Sequence, residues 1–75
     1  MPKTYYIDDG VAPPLHDLQK LVKGHIEVLH TEKRQFVVNE EGRLVGLDVN
    51  EVASEEYGSE LVGNVVILSN SARIK

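Results

Sequence analysis

The pattern of apolar residues changes at Gly24, and that change constrains the fold more than any other feature of the sequence. Before it, Leu15, Leu18, Leu21 and Val22 recur at spacings of three and four, which puts them on one face of a helix. Pro14 suits the first turn of that helix, Gly24 suits a left-handed C-terminus, and Lys20 and Lys23 fall in the last turns, where cations complement the helix dipole. The spacing predicts a helix over residues 14–23. After Gly24, the run His25-Ile26-Glu27-Val28-Leu29-His30 has β-branched residues at alternate positions and reads as a strand. Thr31-Glu32-Lys33-Arg34 is a polar turn before a second strand, Gln35-Phe36-Val37-Val38, so this region predicts a hairpin.

Asn39-Glu40-Glu41-Gly42 has Asn at the start and Gly at the end of a type I turn, where Gly42 supplies a permissive backbone. Arg43-Leu44-Val45 is then expected to return as the third strand of a meander before Gly46 breaks it. Asp48 and Glu51 have the spacing of an N-cap and its capping-box partner, with Asn50 as a competing cap, and residues 50–56 predict one or two helical turns ended by Gly58. Leu61-Val62-Gly63-Asn64-Val65-Val66-Ile67-Leu68 is nearly continuous in apolar residues, as expected of a central strand buried on both faces. Near the other end, Tyr5-Tyr6-Ile7 reads as a first strand stopped by Asp8-Asp9-Gly10. No repeat or long linker divides the sequence, which predicts a single domain over residues 1–75 with a frayed tail at 69–75.

Size sets a limit on stability. A chain of 75 residues buries only about 60% of the surface its unfolded form exposes. The absence of cysteine excludes disulfides and thiolate zinc sites as staples, which makes a homo-oligomer the expectation. With 8 basic against 12 acidic residues the net charge is −4, so nucleic acid is a poor partner. Met1-Pro2-Lys3-Thr4-Tyr5-Tyr6-Ile7 lacks the apolar region of a signal peptide. The apolar run 65–68 is far below the roughly 20 residues that span a bilayer, so a soluble, unexported protein with no membrane partner is expected.

Several landmarks occur together: Leu18-Gln19 with Leu21-Val22, Gly24 with Ile26-Glu27, Val38-Asn39-Glu40-Glu41-Gly42, Gly46-Leu47, Asn50, and Gly63 before the last strand. Through them the chain resembles, over about two thirds of its length, the DUF3846 family, small uncharacterised proteins mostly of bacteriophages and mobile elements. It departs from the family at Lys23, often a second glycine, and at Asp48, often proline. The resemblance implies an α+β domain of viral or mobile-element origin, working in the cytoplasm of a bacterial host, and it transfers no reaction. By analogy with other small phage proteins it implies an anti-defence role, including sequestration of nucleotide immune signals.

Candidate sites follow from residue chemistry. Lys20, Lys23, Lys33, Arg34 and Arg43 would gather around a phosphate if the helix end and the two turns lie at one edge of the sheet, with Arg43 the best single anion contact because its fork is bidentate. Asn39 and Asn50 supply donors and acceptors to a polar ligand, or stabilise a turn and a helix start. Asp48, Glu51, Glu55 and Glu56, with Glu60, form an acidic cluster whose default is a solvated face and whose alternative is a protein contact. His16, His25 and His30 share no face by local spacing, so no metal site is expected. Tyr5, Tyr6 and Tyr57 pack in a core or stack on a base. No serine has a base in a recognisable nucleophile motif, and no glycine-rich phosphate loop is present, so neither an enzyme nor a cofactor is expected.

The sequence thus predicts an α+β domain with a mostly antiparallel sheet of four to five strands packed against one main helix, plus a short second helix. The first functional expectation is a non-enzymatic phage accessory protein that binds a small anionic or nucleotide-like ligand through Arg43, Asn39, Asn50, Lys20 and Lys23. The alternative is a protein-interaction module that inhibits a bacterial host protein through the acidic face of Asp48, Glu51, Glu55 and Glu56 or through a strand edge.

Overall fold

The computed structural model of the protein describes residues 1–74. Strand β1 (Thr4–Ile7) is followed by helix α1 (Leu15–Val22), the hairpin β2 (Ile26–His30) and β3 (Arg34–Asn39), helix α2 (Glu51–Tyr57), strand β4 (Val65–Ser69) and a single 3-10 turn, Asn70–Ala72. The four strands form one sheet in the order β1-β4-β3-β2. β1 runs parallel to β4, and the two other pairings are antiparallel. The chain is therefore the α+β domain expected, with one main helix and a short second one.

The sheet is covered on both faces. Leu18 and Val22 of α1 pack on one side against Val37, Val66 and Leu68, while Ala53 and Leu61 pack on the other against Phe36, Val38, Val65 and Ile67. Tyr5 joins the α1-side cluster, and Tyr57 meets the Phe36 ring edge-on with centroids 5.0 Å apart, so both tyrosines are packing residues. Tyr6, pointing the other way on β1, is half exposed.

Residues 43–45 are not a strand. β3 is already paired on one side with β2 and on the other with β4, so the meander has no free edge to join. The chain instead makes one helical turn: Gly46 N–H donates to Arg43 O and Leu47 N–H to Gly42 O at 2.9 Å, with Gly46 left-handed at φ 72°, a Schellman closure. Leu44 and Val45, whose β propensity suggested a strand, are left 85% and 64% exposed. The apolar run before β4 also divides, because Val62 forms an antiparallel bridge with Val49 and β4 begins only at Val65.

Further local expectations change. α1 ends with Lys23, not Gly24, in the left-handed region at φ 63°. Gly24 is needed for space: a Cβ there would lie 2.7 Å from Asn39 Nδ2, which donates to the Val22 and Lys23 carbonyls. Asn50, not Asp48, caps α2, accepting from Ala53 N–H at 3.0 Å, and Gly58 closes that helix at φ 92°. Of the tail 69–75, expected to fray, Lys75 lies outside the described residues, and the rest packs back on the domain: Ala72 is buried, and the Ile74 backbone exchanges two hydrogen bonds with the buried Gln35 amide.

Gly42 keeps a negative φ, so its reason is close approach, since a Cβ would lie 2.8 Å from Val62 Cγ2. Gly42→Val is expected to lower unfolding stability by about 1–3 kcal/mol, the cost of overpacking; an unchanged urea midpoint would mean that Val62 moves aside freely. Lys23→Gly is expected to raise stability by about 0.5–1 kcal/mol, because relief of left-handed strain outweighs the added unfolded-state entropy. A lower midpoint for this variant would show that the Lys23 side chain stabilises the helix exit.

Candidate functional site

The end of β3, the turn at residues 40–46 and the loop after α2 converge on the α2 side of the sheet around a cleft of about 280 Å³. Its apolar walls include Leu29, Leu44 and Tyr57, and its polar wall carries Glu27, Glu40, Glu60 and Arg43. The Arg43 guanidinium spans from the turn to the loop, donating through Nη2 to Glu60 O at 2.9 Å and lying 3.7 Å from Glu60 Oε1. Three acidic residues thus line the cleft with a single arginine, which Glu60 already engages. A phosphate there would meet net repulsion at separations shorter than the screening length of about 8–10 Å, whereas an ammonium or guanidinium with an aliphatic stem would find opposite charge and apolar contact together.

Of the expected ligand contacts, only Asn39 and Arg43 line this cleft. Asn39 is committed to the fold, its amide bridging the α1 carbonyls and its Oδ1 accepting from Glu41 N–H at 2.8 Å. Asn50 is 3% exposed. Its Nδ2 donates to Lys3 O (3.2 Å) and Gly63 O (3.0 Å), and its Oδ1 accepts from Ala53 N–H (3.0 Å) and the Thr4 hydroxyl (3.1 Å). All its side-chain capacity is spent on joining β1, α2 and the chain before β4. Lys20 and Lys23 are exposed on and just after α1, across the sheet from the cleft. Lys33 and Arg34 are at the opposite end of the hairpin from Asn39, and Arg34 pairs with Glu56 at 3.2 Å over the Phe36 ring. The five cations do not gather.

The acidic cluster divides as well. Glu51 and Glu55 line a shallow hollow with Val49 and Glu60, and Glu51 also lines a second one with Asp48, Met1 and the half-exposed Val52. Glu56 lies apart, held by Arg34. Among the described residues no three His, Asp or Glu side chains converge as a metal site. Ser54 spends its hydroxyl on Asn50 O at 2.6 Å and on the Leu61 backbone. Glu27 and Glu40 had no local signal marking them, because the pairing of Asn50 N–H with Leu61 O (2.8 Å) and the β2–β3 register bring Glu60 to them from a distant segment.

Asn50→Ala is expected to cost about 2–4 kcal/mol, combining a lost cap with carbonyls left without donors. A urea midpoint within error of the wild type would show that Asn50 is dispensable for folding and available for a ligand.

No curated protein and no solved structure matches the chain at a significant level. The family model described as a domain of unknown function, DUF3846, matches residues 2–73. The landmarks that the match covers include Asn39, Gly42 and Asn50, whose side chain or compactness holds the turns in place here, and on the extent of that match the chain belongs to the DUF3846 family.

Proposed function

We propose that this chain is a non-enzymatic protein-interaction module that engages a bacterial host protein, in the host cytoplasm, by receiving a basic, partly apolar segment in the α2-side cleft. The observation that carries this reading is the cleft's charge: Glu27, Glu40 and Glu60 line it together with the apolar Leu29, Leu44 and Tyr57, and the one cation in the lining, Arg43, is already held by Glu60. The neighbouring hollow with Glu51 and Glu55 shares Glu60, which adds acidic residues beside the cleft. The family's association with phages and mobile elements suggests the host setting. Sequestration of a nucleotide-like signal, the other expectation, draws support only from Asn39 and Arg43 sharing the cleft, and the carboxylates oppose its phosphates.

An array of Lys- and Arg-containing peptides read by fluorescence anisotropy tests the proposal. Binding is expected to weaken as salt is raised, and Glu27→Lys with Glu60→Lys is expected to reduce it by about tenfold or more, since like charges then face the peptide. Unchanged affinity in a double variant that circular dichroism reports as folded would reject the cleft. Calorimetry with a nucleotide panel forms the opposing arm: nucleotide binding lost in Arg43→Ala would favour the signal-sequestering reading.

A further inference from the structure

β2 is an edge strand, with no strand of the described residues paired on its outer side. Its ladder to β3 runs through odd-numbered residues, because Glu40 N–H donates to His25 O at 2.8 Å and Thr31 N–H donates to Arg34 O at 2.9 Å. In an antiparallel ladder the intervening residues turn their backbone groups the other way, so the N–H and C=O groups of Ile26, Val28 and His30 face outward. No proline interrupts the strand, and no other described hydrogen bond reaches these groups. Ile26 and Val28 stay partly exposed on the α1 face of this edge, and Glu27 and Leu29 project on the α2 face, where they form one wall of the cleft.

We infer that the partner binds by strand addition to β2: an extended segment pairs with the backbone of Ile26, Val28 and His30, its alternate residues basic toward Glu27 and the cleft and apolar toward Ile26 and Val28. The inference rests on the cleft reading for the partner's charge and adds the mode of engagement. The outer edge of β1 is a poorer template. It offers outward backbone groups at Thr4 and Tyr6 only, within a strand of 4 residues, and no acidic cleft adjoins it. A second copy of the chain is a poorer occupant, since joining two β2 edges would bring Glu27, Glu40 and Glu60 of one copy toward those of the other.

The probe is an end-blocked peptide of alternating Arg and Val as long as β2, compared with the same peptide N-methylated at alternate residues so that it keeps its side chains and cannot pair. Binding of the first peptide to the wild-type protein is expected to slow amide exchange at Ile26, Val28 and His30. N-methylation is expected to weaken binding about tenfold or more, as loss of two or three hydrogen bonds implies. Equal affinity for both peptides without new protection would overturn strand addition and leave the cleft reading standing. Binding of neither would reject both, and protection at Thr4 and Tyr6 would assign the wrong edge. Slow exchange at the three β2 amides in the free protein, with a dimeric mass by light scattering, would identify a second copy as the occupant and overturn the inference.

Discussion

Every other element of this domain serves the burial of β4. All five residues from Val65 to Ser69 are buried, with β1 and β3 on the two sides and apolar clusters above and below. A strand of this kind in so short a chain needs two covers, and the chain makes them from a helix of 8 residues and another of 7. Neither cover is long enough to be stable alone, as isolated helices shorter than about 12–15 residues are marginal in water. Each therefore exists because β4 and β3 offer it an apolar floor, and the floor stays dry because the helices are there.

What fastens the covers is amide chemistry. Asn39 ties the exit of α1 to the turn after β3, Asn50 ties α2 to β1, and Asn64 bonds both Leu21 O and Lys3 N–H. Each asparagine serves backbone groups of different segments at once, which a side chain with only donors or only acceptors does less well. Polar residues that looked available to a ligand are thus consumed by the architecture. What remains around the cleft for recognition is carboxylates, the exposed Leu44 and the outer backbone edge of β2.

The sequence made the locally encoded parts legible. α1 and the β2–β3 hairpin follow from periodicity within a few residues, and the long apolar run marked the strand buried on both faces. Arg43, Leu44 and Val45 misled because strand propensity is local whereas a strand needs an open partner, and β4 had already closed β3 from the far end of the sequence. Lys23 misled because Gly24 stood beside it as the better left-handed residue, while the real demand on Gly24 comes from Asn39 across the fold. Arg43, singled out for its bidentate fork, does line a cleft, but the acidic residues lining it with Arg43 are Glu27, Glu40 and Glu60, which no spacing rule connects.

The parallel pairing of β1 with β4 joins residues as distant as Thr4 and Val65. A contact spanning so much of the chain is slow to form, because loop closure must precede any gain from it. Without β1, that side of β4 would be bare, a run of Val, Val, Ile and Leu with open hydrogen-bonding groups. Such an edge is a template for pairing with another chain. β1, shorter and flanked by Asp8 and Asp9, replaces that adhesive margin with a poorly adhesive one. Its contribution is thus as much to colloidal behaviour as to stability, since the first strand covers one edge of a strand that carries four consecutive apolar residues and would otherwise offer an open template for pairing.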